Sequence, residues 1–142
     1  MNVTPVNPNA LDAFWEQLEP LVQKVIPTTY GRETTKSIRT KIKDQSLVLW
    51  IMWDDIKDIK GIVCTKIMEY PDKKVCWVGY MAAKDNQIDR WWVSGLDVFH
   101  KYWKLNDCHY VEFLGRKGWL KQFNKSKIKL TNIGTVYEGK IL

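Results

Sequence analysis

The fold is decided by a strand, a long helix and a second strand that follow one another within residues 74–114. In order, the three segments read KVCWVGYMA (74–82), IDRWWVSGLDVFHKYWKL (88–105) and HYVEFL (109–114). The outer two are rich in β-formers, whereas apolar residues recur every three or four positions in the middle one, which predicts an amphipathic helix capped by Asp85 or Asn86. A helix linking two strands of one sheet is a crossover, so His109–Leu114 should run parallel to Lys74–Ala82.

Upstream of this unit, the apolar residues of Leu11–Val25 recur at helical spacing, which predicts an amphipathic helix facing a core. Asn9 is a suitable N-cap, and Pro27 ends the helix. Pro20 lies inside it and removes one backbone donor. We therefore expect either a kink near Glu16 or two abutting helical pieces.

A short basic helix and a strand meander connect the first helix to the deciding segment. Glu33–Lys43 has the pattern of a short helix with a narrow apolar face. Ser46–Trp53 and Ile59–Tyr70 read as strands, and the turn Pro71-Asp72-Lys73 leads into Lys74–Ala82. These three strands should form an antiparallel meander.

The last thirty residues predict a further helix and two more strands. Glycines 115 and 118 turn the chain into a brief helix at Trp119–Phe123, and Lys127–Leu130 and Thr135–Ile141 read as a strand pair. The sequence thus predicts an α+β fold with a mixed, mostly antiparallel sheet of about six or seven strands and helices on both faces. At 142 residues, we expect one domain spanning residues 1–142.

The composition is that of a folded, basic protein. Eight Trp and 13% aromatic residues argue against disorder, and the formal net charge is +6. Two basic stretches, Arg32–Lys43 and Arg116–Lys129, can face nucleic acid, an acidic partner or a phosphorylated cofactor, or can be ordinary solvated faces. Trp50 and Trp53 are three apart in a strand, so one of them should lie nearer the solvent.

The cysteines and histidines do not suggest a metal site. Cys64, Cys76 and Cys108 form no CxxC or Cys/His cluster, and they fit small core residues of a reducing compartment. His100 and His109 lack a second ligand pair nearby. The N-terminus shows no signal-peptide pattern, and no apolar run is long enough to span a membrane. We expect a soluble protein of the cytoplasm.

The predicted order of elements resembles the GNAT superfamily of acyl-CoA N-acyltransferases over nearly the whole chain. The segment CHYVEFLGRKGWLKQF (108–123) is also similar to the "GR-GW" ending of small GNAT-like proteins of tailed phages. The resemblance implies an acetyl-CoA-dependent N-acetyltransferase that acts on an amine of a small molecule or protein. In active members, acyl-CoA lies where the fourth and fifth strands splay apart, and backbone amides at the start of the central helix hold its pyrophosphate.

That resemblance places the cofactor loop in the sequence MAAKDNQ (81–87). The implied binding residues are Met81, Ala82, Ala83, Lys84, Asn86 and Gln87. The loop lacks the family's Q/R-x-x-G-x-G/A pattern and contains no glycine, which normally lets the backbone approach the phosphates. Lys84 can supply a cation, but Asp85 and Asp89 bring negative charge that opposes pyrophosphate binding.

Three residues are candidates for proton transfer during acetylation, which needs a base to deprotonate the incoming ammonium. Glu112 lies mid-strand beside the expected splay, Glu69 ends a long strand near the expected acceptor side, and Tyr137 lies in the last predicted strand. A carboxylate on a half-buried strand is also commonly salt-bridged to a neighbour. The tyrosine that many active members carry after the fifth strand is missing, and Trp119 and Phe123 occupy that stretch.

Three functions therefore remain open at the level of the sequence. The first is an N-acetyltransferase with an unusual phosphate loop. The second is a non-catalytic GNAT-like phage protein, which is either a binding or structural component of the virion, in contact with other virion proteins, or a factor that acts on host machinery. The third is a nucleic-acid-binding protein, which rests on the net charge and the interleaved aromatic residues alone.

Overall fold

The chain folds into a central sheet with helices on both faces. The computed structural model describes residues 2–54, 58–86, 88–114 and 128–141, with the backbone alone for residues 86 and 88–94. Within these ranges there are three α-helices, which are α1 (Leu11–Val25), α2 (Thr35–Lys43) and α3 (Ile88–Leu105). The strands are β1 (Asn2–Pro5), β2 (Val48–Trp53), β3 (Ile59–Glu69), β4 (Lys74–Ala83) and β5 (Tyr110–Phe113).

The strands lie in the sheet in the order in which they occur in the chain. β1 to β4 pair antiparallel with their neighbours, whereas β4 and β5 are parallel. The β4–β5 register runs from Val75 opposite Tyr110 to Val78 opposite Phe113. The predicted meander and the predicted parallel crossover through α3 are therefore confirmed.

Helix α1 buries its apolar stripe against one face of the sheet. It runs through Pro20 as a single helix, so the alternative of two abutting pieces is wrong. Asn9 is not its N-cap, because a 3₁₀ turn at Pro8–Ala10 precedes the helix and the side chain of Asn7 accepts the hydrogen bond from the Asn9 N–H at 2.9 Å. The buried positions are Leu11, Trp15, Leu18, Leu21, Val22 and Val25.

Helix α2 begins two residues later than the pattern predicted, because Thr34 caps it. The Thr34 hydroxyl accepts from the Ser37 N–H at 3.0 Å, and the Ser37 hydroxyl accepts from the Thr34 N–H at 2.7 Å, which is a capping box. Ile38 and Ile42 form the predicted apolar face and are buried. Glu33 is thereby left just outside the helix, under its first turn.

Two hydrophobic cores lie on opposite faces of the sheet. The α1-side core combines α1 and α2 with residues such as Leu49, Ile62 and Cys64. The α3-side core is built from the following residues: Val3, Trp50, Met52, Val63, Cys76, Val78, Leu96, Phe99, Trp103 and Cys108. All three cysteines are buried and unpaired, as core residues should be. Trp50 is buried and Trp53 is half-buried, so Trp53 is the tryptophan nearer the solvent.

The prediction of six or seven strands is not confirmed, because the described residues form five. Residues 128–141 contain no strand, although Lys127–Leu130 and Thr135–Ile141 were expected to form a pair. Ile128 and Leu130 pack on the α3-side core, whereas residues 131–141 are exposed. Strand residues that pack on nothing gain too little to hold a hairpin. The predicted helix Trp119–Phe123 and residue 127 lie outside the described residues.

Two absences apply to the described part of the chain. None of its helices is long and apolar enough to cross a membrane. It also contains no group of three or more His, Cys, Asp or Glu side chains that could hold a metal ion.

Candidate active site

The parallel pairing of β4 and β5 stops in the middle of β4, at a bulge. Cys64 of β3 faces Tyr80 and its neighbour Thr65 faces Val78, so Gly79 is an extra residue in β4. The last β4 residue paired with β5 is Val78. Among the described residues no strand lies on the β5 side of β4 from Gly79 to Ala83, so the described β4–β5 pairing ends at the bulge.

The indole of Trp77 covers Gly79. A Cβ placed on Gly79 would lie 2.5 Å from Trp77 Cε2 and closer still to Cζ2 and Cη2. Carbon atoms pack at about 3.5–4.0 Å, so only glycine leaves room for the ring. The Trp77 ring therefore packs directly on the backbone of the bulge, on the α1 side of the sheet.

Trp77 is the middle residue of a row across three strands. Lys66 of β3 is its register partner on one side, with Nζ 5.3 Å from the indole centroid. Glu112 of β5 is its partner on the other side. Val111 and Phe113 pack on the α3-side core, so strand alternation places Glu112 on the α1 side. Glu112 is half-buried there.

Next to Trp77, Tyr80 contacts a buried carboxylate, that of Glu33. The Glu33 side chain is 4% exposed. Lys41 Nζ donates to both of its oxygens, at 2.9 Å to Oε1 and 2.7 Å to Oε2. The Ser37 hydroxyl donates to Oε1 and the Tyr80 hydroxyl donates to Oε2, each at 2.8 Å. A carboxylate has about four lone-pair positions, so all of those of Glu33 are used.

These contacts fix the charge of the cluster. Burial acts to raise the pKa of Glu33, but the hydrogen bonds from Lys41, Tyr80 and Ser37 outweigh it, and the pKa lies below the usual 4.5. Burial and the hydrogen bond to Glu33 raise the pKa of Tyr80. At neutral pH the pair is thus a carboxylate and a neutral phenol that donates to it.

A pocket of about 300 Å³ opens beside this cluster. Trp77 and Tyr80 form one wall, with their rings perpendicular and their centroids 5.1 Å apart. The residues that line it are Arg32, Glu33, Lys41, Ser46, Leu47, Lys66, Trp77 and Tyr80. We call it the Trp77 pocket.

The loop between β4 and α3, which the GNAT resemblance implied as the phosphate site, takes part in several ion pairs. Lys84 Nζ lies 3.0 Å from Asp58, and Lys60 Nζ lies 2.8 Å from the same carboxylate. Hydrogen bonds from Lys60 and Lys84 lower the pKa of Asp58. Asp85 has a φ of 61°, a left-handed conformation that glycine adopts without strain. Asp85 therefore adopts this left-handed conformation although it is not a glycine, and it brings a carboxylate into the loop.

The other residues suggested for this loop occupy different environments. Ala82 and Ala83 are buried, and the Ala83 carbonyl accepts from Lys24 Nζ at 3.0 Å. Met81 packs on the α3-side core. The Asn86 side chain and all of Gln87 lie outside the described structure.

The three candidates for proton transfer lie in different places. Glu112 is the register partner of Trp77, one residue before the described β4–β5 pairing ends. Glu69 lies at the far end of β3, where its 75% exposed side chain is 3.5 Å from Lys74. Lys74 is nine residues before Ala83 in β4, which places Glu69 about 30 Å from the loop before α3. Tyr137 is 89% exposed. Its neighbour Glu138 lies 3.6 Å from Arg32, at the rim of the Trp77 pocket.

Sequence reasoning missed Glu33, Lys41, Tyr80 and Trp77 as parts of one site. Glu33 and Lys41 were counted in a solvated basic helix, and Trp77 and Tyr80 in a strand. One local signal was available, because a glutamate directly before a Thr-x-x-Ser capping box cannot join the helix and must find its own partners. Nothing in the sequence indicated Tyr80 as that partner, since 47 residues separate the two.

Solved structures resemble this architecture over essentially its whole length. A ribosomal-protein-alanine N-acetyltransferase from Brucella melitensis biovar Abortus 2308 is 10% identical, with a TM-score of 0.71 and coverage of 99% of this chain and 100% of that one. No protein-family model and no curated protein sequence matches the chain. The chain has the GNAT fold.

Two further solved structures of similar fold contain a ligand. An aminoglycoside acetyltransferase from an uncultured soil metagenomic sample, in complex with sisomicin, is 12% identical, with a TM-score of 0.66 and coverage of 99% of this chain and 95% of that one. A predicted acetyltransferase from Clostridium acetobutylicum with acetyl-CoA is 13% identical, with a TM-score of 0.64 and coverage of 96% and 95%. At these identities the likeness concerns the GNAT fold alone.

The edge of β4 fits acetyl-CoA as it stands, whereas the loop before α3 fits it only if Lys84 exchanges Asp58 for a phosphate. From Gly79 onward, β4 offers backbone groups with no described strand beside them. At the loop, Lys84 must leave Asp58 to meet a phosphate. Their side chains are 45% and 40% exposed, and solvent screens a surface pair of this kind, so the exchange costs little.

Proposed function

We propose that this chain is an acetyl-CoA-dependent N-acetyltransferase whose transfer site lies at the Gly79 bulge. The observation that carries the proposal is the end of the parallel β4–β5 pairing at Val78, directly before the bulge. On the β5 side, no strand of the described residues pairs with β4 beyond that point, and such an edge in a GNAT fold suits an extended thioester arm, because its backbone groups can bond to a ligand. The acetyltransferases among the fold neighbours support the same class of reaction.

The residues proposed to hold acetyl-CoA are the backbone of Gly79–Ala83 and the side chain of Lys84. Met81, Asn86 and Gln87 remain proposed contacts of the same ligand. When bound, acetyl-CoA supplies an acyl group that is activated as a thioester. Lys84 would place a positive charge near its phosphates, where a salt-sensitive attraction is expected.

Glu112 is the proposed base. An amine must lose a proton before it can attack, and Glu112 Oε accepts that proton from the acceptor ammonium, which leaves a neutral amine and a protonated carboxyl. Its position beside Trp77, in the row next to the point where the described β4–β5 pairing ends, supports this role. Glu69 lies at the other end of the hairpin and would serve an acceptor held there, while Tyr137 would act from the pocket rim.

Calorimetry with acetyl-CoA tests the cofactor part of the proposal. We expect measurable binding to the wild type and binding about fivefold weaker in Lys84→Ala, because one charged contact to phosphate is lost. Lys101→Ala is the matched control, since Lys101 is an exposed lysine of α3. No heat and no rise in melting temperature with acetyl-CoA would refute the proposal.

A thiol-release assay with a panel of small amines tests the base. The three cysteines are buried, so the free thiol of CoA can be measured without interference from the protein. For any amine that is acetylated, Glu112→Gln should lower kcat/KM about a hundredfold, which is the lower end for loss of a general base. Asp97→Asn, an exposed carboxylate of α3, is the control. If Glu112→Gln keeps full activity and Glu69→Gln loses it, the base is at the other end.

A non-catalytic GNAT-like protein of a phage particle is the second candidate. The observation that favours it concerns the loop before α3. Lys84 is the one positively charged residue among the described residues of that loop, and it is paired with Asp58 and followed directly by Asp85. A fold kept for its surfaces does not need a phosphate site. Mass spectrometry of purified particles tests this version, which predicts the protein in the particle and no acetyl-CoA binding.

A further inference from the structure

The Trp77 pocket is built around a carboxylate that has no capacity left for a ligand. Glu33 accepts four hydrogen bonds, two from Lys41 and one each from Ser37 and Tyr80. It is the only acidic residue among those that line the pocket as described. A cationic ligand would therefore find no free carboxylate there. Glu33 instead holds the ammonium group of Lys41 and the ring of Tyr80 in place.

The remaining charges of the pocket are positive. Arg32, Lys41 and Lys66 line it together with Glu33, which gives three positive charges and one negative charge. Lys66 pairs with no described carboxylate within 4.0 Å, and its ammonium lies over the Trp77 ring. Arg32 has an exposed carboxylate of the chain's own Glu138 at 3.6 Å. Even with Glu138 counted, the pocket carries one excess positive charge.

The walls of the pocket are fixed before any ligand arrives. Trp77 is held on Gly79 and against the edge of Tyr80, and Tyr80 is tied to Glu33 at 2.8 Å. Contacts that are already ordered cost little entropy on binding. At about 300 Å³ the pocket is at the small end of ligand sites, which suits a small molecule or one terminal residue of a chain.

We propose that the Trp77 pocket binds the acidic group of the acceptor, a carboxylate or phosphate carried close to the amine, with Lys66 and Arg32 as its contacts. This inference rests on the proposed function insofar as it names an acceptor. Trp77 separates Lys66 from Glu112 in the row across the sheet. An acceptor with its acid at Lys66 thus has its amine directed toward the bulge and the proposed base.

Matched pairs of amines test the inference by calorimetry without acetyl-CoA. L-Phenylalanine is compared with L-phenylalaninamide and phosphoethanolamine with ethanolamine, at low salt and at about pH 6.5, where the amines are mostly protonated. We expect the acidic member of at least one pair to bind about tenfold more tightly than its neutral partner, because one charge-assisted hydrogen bond changes the affinity by about that factor. The pair that shows the preference identifies the acid as carboxylate or phosphate.

Variants decide whether the preference belongs to this pocket. Lys66→Gln and Arg32→Gln should each reduce the preference about fivefold, whereas Lys101→Gln, on the far face of the sheet, should leave it unchanged. Both pocket residues are exposed, so unchanged melting temperatures should confirm that the variants fold. Equal binding of acidic and neutral partners, no binding of any probe, or an equal loss in Lys101→Gln would overturn the inference. Failure of acetyl-CoA to bind would overturn the proposed function alone, because these measurements contain none.

Discussion

Replacing Gly79 with alanine should destabilise the protein through Trp77, by an amount that the structure allows us to work out. The added Cβ would lie 2.5 Å from Trp77 Cε2 and nearer to two other ring atoms. To restore a separation of about 3.5 Å, the indole must move by more than about 1 Å. Overpacking of this kind typically costs 1–3 kcal/mol, and we expect about 2 kcal/mol because the half-buried ring can shift toward solvent. In a chain of this size that lowers the melting temperature by roughly 6–8 °C.

A double-mutant cycle, measured by urea denaturation, isolates the contact. In a Trp77→Ala background the same Gly79→Ala change should cost less than about 0.5 kcal/mol, so the two substitutions should be non-additive by about 1.5 kcal/mol. Gly134→Ala is the control, since a Cβ there meets nothing within 4 Å. An equal cost of Gly79→Ala in both backgrounds would refute the packing of Trp77 on the bulge.

Three other predictions concern the cluster, the cysteines and the cap of α2. Tyr80→Phe should lower the free energy of unfolding by about 1.5 kcal/mol at neutral pH, because a hydrogen bond to a charged group is lost. The pKa of Glu33 is depressed, so its stabilisation is present above the usual 4.5 and is lost as the pH falls through the lower folded value, and the cost of Tyr80→Phe should shrink there. Burial raises the pKa of Cys64 and of Cys76 to about 12, so both thiols should react with a thiol reagent only after unfolding. Thr34→Ala should cost about 1 kcal/mol through the lost capping box, measured by thermal unfolding.

Controls for these predictions come from the same chain. Tyr110→Phe changes an exposed tyrosine of β5 and should leave stability within about 0.5 kcal/mol at every pH. A pH-independent cost of Tyr80→Phe would contradict an ionised Glu33. Rapid labelling of Cys64 in the folded protein would contradict its burial, and a Thr34→Ala variant as stable as the wild type would show that the cap contributes nothing.

The elements of this protein follow from local sequence patterns. The helical spacing of Leu11–Val25 and of the long segment before Leu105 determined two helices, because a repeat of 3.6 residues has no other regular solution. Alternation and a proline turn predicted β3 and β4, and the long helix that follows β4 as a crossover predicted that β5 runs parallel to it. The GNAT-like order of elements could therefore be read before any contact was known. The prediction was wrong at the start of α1, where a 3₁₀ turn capped by Asn7 precedes the helix, and residues 128–141 contain no strand.

The candidate site depended on tertiary contacts that no local pattern carries. Glu33 and Tyr80 lie 47 residues apart and meet because α2 packs on the face of β4 that Tyr80 occupies. The Gly79 bulge is a property of the register between β3 and β4, which requires both strands at once. The partner of Lys84 likewise comes from Asp58, 26 residues earlier. Sequence alone thus determined the scaffold through periodicity, whereas the charge and shape of the pocket were decided by which distant side chains the folded sheet brings within hydrogen-bond distance.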